Sequence, residues 1–139
     1  MPSDPPPHPP HSPREHSLEI RVRYQETDAQ GRVHHGNYIN YFEVGRVEFL
    51  RALGHSYREL EASGILLVVA EMHCFYHHPA YYDDLLQLTT RVARARGVRI
   101  EHHYDLRRGE VPIVSGRSVV ASVNRDGKVC RLPKFLQLD

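Results

Sequence analysis

The sequence predicts an α+β domain: one long helix placed early, then a curved antiparallel sheet of about five strands wrapped around it. Three observations predict it. Long helical spacing of apolar residues occurs in one stretch, from Asn37 to about Leu53. From Ile65 onward the apolar residues alternate or run in strand-length segments. Tight turns join those segments, and tight turns connect antiparallel neighbours. At 139 residues the chain suits one domain, and a chain of this size buries roughly two-thirds of its unfolded surface.

Each element follows in order. Residues 1–16, "MPSDPPPHPPHSPREH", hold seven of the ten prolines and little to bury, so they read as a disordered Pro-rich tail before a domain at 17–139. Leu18, Ile20, Val22 and Tyr24 alternate with Glu19, Arg21 and Arg23, which predicts a strand with one buried face. In the helix, Ile39, Phe42, Phe49 and Leu53 share one side, and Gly54 sits where a C-cap glycine belongs. Gly45 inside the helix costs up to ~1 kcal/mol, which close approach of the helix to a sheet would offset. Glu43 and Arg46, three residues apart, predict an intrahelical ion pair. "SYRELEASG" predicts a short second helix ending at Gly64.

Strands fill the remainder. Ile65 to Tyr76 opens with a nearly continuous apolar run, typical of a strand covered on both faces. Leu86, Leu88 and Val92 mark the next, and Val98, Ile100, His102, Tyr104 and Leu106 alternate through another. "RRGE" is a turn, Ile113 to Val123 a long strand, and "NRDGK" a hairpin turn. One helix covers one face of such a sheet, so an uncovered face or edge invites a second subunit.

Composition excludes several function classes. A formal net charge of +1 gives no electrostatic footprint for nucleic acid or an anionic membrane. No apolar run approaches about 18 residues, so no membrane span is expected. The N-terminus lacks a basic-then-apolar signal pattern. Cys74 and Cys130 are too few for a disulfide framework and form no Cys-x-x-Cys pair, which fits a reducing, cytoplasmic setting. Cys74 lies in an apolar run and is expected to be buried.

The chemistry concentrates in "YQETDAQGRVHHGNYINYFEVGRVEF", residues 24–49. A carboxylate serves as nucleophile or general base. The first turn of a helix offers free N–H groups and a positive dipole end. Gly31 and Gly36 allow a tight loop that brings Asp28 beside the helix start at His35, Gly36 and Asn37. A carbonyl held between them meets a nucleophile on one side and an oxyanion site on the other. Other readings stand beside this one. Asp28 in "ETDAQG" also suits a turn cap, and Glu26 is a second candidate carboxylate. His34, His35 and Asp28 lack a clearly spaced further ligand, so no metal is expected. Asn37 also fits a plain helix N-cap.

The stretch "YQETDAQGRVHHGNYINYFEVGRVEFLRALG" resembles the acyl-CoA thioesterases of the 4-hydroxybenzoyl-CoA thioesterase type, including their Tol–Pal-associated branch. "FYHHPAYYDDLLQLTTRV" is similar to that family's second recurring segment through Tyr76, Pro79, Ala80, Asp83, Asp84 and Leu85, and "VCRLPKFL" to its usual ending. The resemblance runs from about Leu18 to the C-terminus. It implies a hotdog fold, sites between subunits of a homodimer or homotetramer, and hydrolysis of an acyl-CoA without a metal or redox cofactor. It makes Asp28 the catalytic aspartate and gives the His35 position the N–H that polarises the thioester carbonyl, with Tyr38 as wall. His34 departs from the usual residue, and Glu26 stands where relatives often carry aspartate. For the phosphates of CoA, the candidates are Arg94, Arg96 and Arg99 around Gly97; a solvated basic turn is the alternative. Two rival functions remain at this point: an acyl-CoA-binding hotdog domain without catalysis, and a hotdog dehydratase or hydratase. The second usually carries His-Phe-Pro or Asp-x-Asn-Pro, and neither occurs here.

Overall fold

A computed structural model describes residues 11, 12 and 14–138. The two-residue strand β1 (His11–Ser12) precedes β2 (Glu15–Arg21). A 3-10 turn at Tyr24–Glu26 opens the loop to helix α1 (Asn37–Ala52), and the short α2 (Tyr57–Ala62) follows. Strands β3 (Leu66–Tyr76), β4 (Leu85–Arg96), β5 (Arg99–Arg108) and β6 (Val111–Val123) complete the sheet. Its order is β1-β2-β4-β5-β6-β3, antiparallel throughout and not closed. Five long strands around one long helix match the architecture expected from the pattern.

Local chemistry sets the boundaries. Ser56 caps α2 by accepting a hydrogen bond from Glu59 N at 3.1 Å. Gly54 follows the C-cap of α1 at φ +90°, a conformation open to glycine at little cost. The helix lies hard on the sheet where Gly45 crosses β4. A Cβ there would stand 2.8 Å from Leu88 Cδ2 and closer still to Thr90 Oγ1. On β6, a Cβ at Gly116 would collide with the Phe42 ring, which is fully buried and stacks on Tyr104 at 4.2 Å. Burying a side chain the size of Phe42 contributes about 1.5–3 kcal/mol.

Four expectations are corrected. Part of the stretch 1–16 read as a disordered tail is strand: Glu15 and His16 pair with Arg91 and Thr90, and His11–Ser12 pair with β2. Residues 1–10 and 13 lie outside the described residues. Ile39 is 40% exposed; the buried face of α1 is Tyr38, Tyr41, Phe42, Gly45, Arg46, Phe49 and Leu50. Arg46 therefore turns inward and forms no ion pair with Glu43; its Nη1 donates to the Tyr104 hydroxyl at 3.0 Å. Finally, β3 is an edge strand rather than a strand covered on both faces. Val69 and Phe75 are half exposed, with nothing among the described residues packed over them. Cys74 is half-buried, and burial pushes its thiol pKa up.

Candidate active site

The site begins at a buried carboxylate. Glu26 Oε1 accepts from Arg23 N at 2.7 Å and from the Tyr41 hydroxyl at 2.8 Å. Its Oε2 accepts from Arg23 Nε at 3.2 Å. Burial, then this hydrogen bond, holds the Tyr41 hydroxyl protonated far above its usual range. The Glu26 carbonyl accepts from His34 N and Asn37 Nδ2, each at 2.8 Å. One residue thus ties the strand exit, the loop return and the helix start together. Both of its carboxylate oxygens already have donors within the chain, unlike those of Asp28 two residues on.

Asp28 sits at the tip of that loop. Its Oδ1 accepts from Gln30 N at 2.8 Å and Arg32 N at 3.2 Å. The backbone closes the same turn through Asp28 N to Arg32 O at 2.7 Å and Gly31 N to Asp28 O at 3.0 Å. Gly31 at φ +79° makes the reversal possible. The turn-capping geometry is therefore present, but it occupies one oxygen only. No hydrogen bond to Asp28 Oδ2 forms among the described residues.

The second sequence segment braces the first. Val33 N donates to Ala80 O at 2.8 Å, and Arg32 bridges to Tyr81. Asp84 Oδ2 holds this brace by accepting from Tyr81 N at 2.9 Å and Arg108 Nη1 at 2.8 Å. The helix start is organised by histidine. His34 Nδ1 accepts from Gly36 N at 3.0 Å, so that nitrogen carries no proton, and the His34 and His35 rings stack at 4.3 Å. The His35 N–H meets no acceptor among the described residues, while its carbonyl accepts from the Tyr76 hydroxyl at 3.1 Å. Desolvation, then the Cys74 side chain, pushes the Tyr76 hydroxyl up to about 12, keeping it a donor.

Asp28, His35, Tyr38 and Tyr76 line one open groove of about 390 Å³ at the helix N-terminus. Of the residues read as site candidates, Asp28, His35 and Tyr38 meet here. The Gly36 N–H is spent inside the loop on His34, and the Asn37 side chain on Glu26 and Asn40. Both groups thus have partners within the chain, and Gly36, not Asn37, is the N-cap. Arg94, Arg96 and Arg99 line a different depression of about 660 Å³ with Glu71, Glu101 and Arg117. Arg94 and Arg96 lie at the end of β4 away from Leu85, and the two depressions share no lining residue. Tyr76, His77 and His78 were missed as wall residues. They enter from the end of β3, more than 40 residues away in sequence, with the His-His doublet directly after an aromatic pair as the local signal.

An antiparallel sheet curled on one long helix, with a carboxylate loop braced against the helix N-terminus, defines a hotdog-fold protein. Residues 30–115 match the thioesterase superfamily. The chain belongs to that family and is a thioesterase enzyme. It is similar to the acyl-CoA thioesterase YbgC of Haemophilus influenzae, at 34% identity over 109 residues, 78% of this chain and 80% of that one. A probable thioesterase from Bartonella henselae shares 36% identity and a TM-score of 0.82 over 86% of this chain and 99% of that one. The DHNA-CoA thioesterase of Staphylococcus aureus shares 29% identity and a TM-score of 0.82 over 85% of this chain and 80% of that one.

Proposed function

We propose that this thioesterase hydrolyses an acyl-CoA: water and RCO–S–CoA give RCOOH and HS–CoA. The observation that carries the reading is Asp28 itself. One oxygen fixes the loop and, among the described residues, the other has no partner, nor has the His35 N–H in the same groove. Asp28 serves as nucleophile toward the thioester carbon or as general base on water. The His35 N–H and the positive end of α1 stabilise the oxyanion. Tyr38 forms wall, and the chemistry needs no metal or redox cofactor. The motif likeness supports placement in the Tol–Pal-associated branch, and the two cysteines without a Cys-x-x-Cys pair support a reducing, cytoplasmic setting.

The groove takes its contacts to the CoA phosphates from another subunit in this reading. β3 offers an unpaired edge with exposed Val68, Val69 and Phe75, which favours a homodimer or homotetramer. Arg94, Arg96 and Arg99 of a second copy are then the phosphate contacts. Arg96→Ala and Arg99→Ala should raise KM with kcat nearly unchanged; an unchanged KM removes them from the site. Sedimentation as a stable 16.1 kDa monomer would contradict the shared site.

Thiol release from a panel of aliphatic and aromatic acyl-CoA substrates tests the function and fixes the acyl class. Turnover of at least one substrate, lost in Asp28→Asn, is expected. Binding of acyl-CoA without thiol release would instead make the protein a silent acyl-CoA binder.

A further inference from the structure

The C-terminal half of α1 covers a second space of about 260 Å³, bounded by α2, by the far ends of β4 and β5, and by the C-terminal segment. It is closed off from the Asp28 groove. Phe42 and Tyr104, both buried, stack across the interior between them, and Phe42 presses on Gly116.

Its wall carries a charge that the fold does not balance. Arg46 is 6% exposed, lines the cavity, and makes no ion pair among the described residues. Its partner is the Tyr104 hydroxyl, which also bonds Ser118 Oγ at 2.5 Å. A buried cation with no counter-charge is costly. His102 of β5 lines the same cavity, is also 6% exposed, and its buried Nδ1 has no hydrogen-bond partner. Burial, then the Arg46 charge, keeps that imidazole neutral, with its pKa lowered to about 3. Tyr57 also lines the cavity with its hydroxyl at Arg46, and the remaining walls are largely apolar: Phe49, Leu50, Val92, Ile100 and Leu136. The stacked rings of His55 and Phe135, 3.8 Å apart, stand on the side that reaches solvent, where Phe135 is 44% exposed.

We infer that this cavity is a binding site for a small monocarboxylate with an apolar tail, held by its carboxylate on Arg46 beside His102. One carboxylate neutralises one guanidinium, and the planar fork matches its two oxygens. A phosphate dianion would leave excess charge among walls that offer few further donors. At ~30 Å³ per water-sized group the space admits about nine non-hydrogen atoms, the size of hexanoate. The ligand is of the same class as the acid released by the proposed reaction, but the site shares no residue with the Asp28 groove.

Titrating hexanoate into the full-length protein, with calorimetry and the Arg46 Nε–H resonance as readouts, tests this. Saturable binding is expected, with a shift of the Arg46 signal and much weaker binding of hexanol. Arg46→Met should weaken hexanoate by at least about tenfold, as for a buried charge pair losing one member, and Asp28→Asn should leave it unchanged. The wild-type Arg46 signal decides the question even if Arg46→Met does not fold. Three results would overturn the site: no saturable binding at millimolar hexanoate, equal binding of hexanol, or binding lost in Asp28→Asn and kept in Arg46→Met. The last would put the acid in the groove and leave the Asp28 reading standing.

Discussion

The two ends of α1 bury charge in opposite ways. At the N-terminal end Glu26 is 9% exposed, and both of its oxygens and its carbonyl have donors. Along the C-terminal half Arg46 has hydroxyl partners but no counter-ion, and His102 Nδ1 has no partner. The first arrangement is complete within the chain. It fixes the loop before any substrate arrives, and such preorganisation is what an oxyanion site requires. The second is complete only with something added. Burial alone therefore does not mark the reactive carboxylate. In the proposed reading the buried one serves as scaffold, and the half-buried Asp28, with one oxygen unpartnered among the described residues, is the candidate for chemistry.

The largest effect that sharpens this contrast is Asp28→Asn. The amide oxygen still accepts from Gln30 and Arg32, so the melting temperature should hold while kcat falls by about 10² to 10⁴. Thiol release and a thermal melt on one preparation check both. Glu26→Gln should reverse the pattern. It weakens the bonds to Arg23 and Tyr41, and denaturant unfolding should show a loss of about 1–3 kcal/mol. A stability equal to wild type would break the comparison, because Glu26 would then not hold the loop.

The other end of the helix has its own signature in acid. The folded pKa of His102 is lowered from 6.5 to about 3, so the unfolded chain binds its proton first. Its contribution to stability is intact above pH 6.5 and declines as pH falls toward 3. The slope is about 1.4 kcal/mol per pH unit, or about 2 kcal/mol between pH 7 and 5. Unfolding free energies for wild type and His102→Leu across that range should diverge in slope by this amount; parallel curves would contradict a buried neutral imidazole. The smallest effect is at the chain start. A protein beginning at Arg14 loses β1 but keeps β2 paired with β4 and Arg14 O accepting from Val92 N at 2.7 Å. Its stability should stay within about 0.5 kcal/mol, and so should its turnover.

What was legible in the sequence is what short-range chemistry decides. The caps at Ser56 and Gly54, the alternation through Ile100 to Leu106 and the close approach at Gly45 follow from side-chain period, turn residues and local hydrogen bonds. The Asp28 turn was legible too, since its partners lie two and four residues away. Spacing set that turn against catalysis as alternatives; the geometry assigns the turn to one oxygen and leaves the other. Non-local facts were not legible. Ile39 is exposed while Arg46, seven residues on and nearly the same side of the helix, is buried against the hydroxyl of Tyr104, 58 residues beyond it. The apolar run of β3 read as doubly covered, although among the described residues only one of its faces packs on the core. Tyr76 to His78 reach the groove only through pairing at the sheet edge, and the arginines at the β4–β5 turn line a depression that shares no lining residue with it.

The split between the two carboxylates is tested most directly by the ratio of their turnovers. kcat for thiol release should be measured per folded molecule for Glu26→Gln and Asp28→Asn, below both melting temperatures and on the same acyl-CoA. The account predicts that Glu26→Gln turns over about 100-fold faster or more, the lower range for losing a general base. Turnover abolished in Glu26→Gln and intact in Asp28→Asn would contradict it and transfer the chemistry to Glu26.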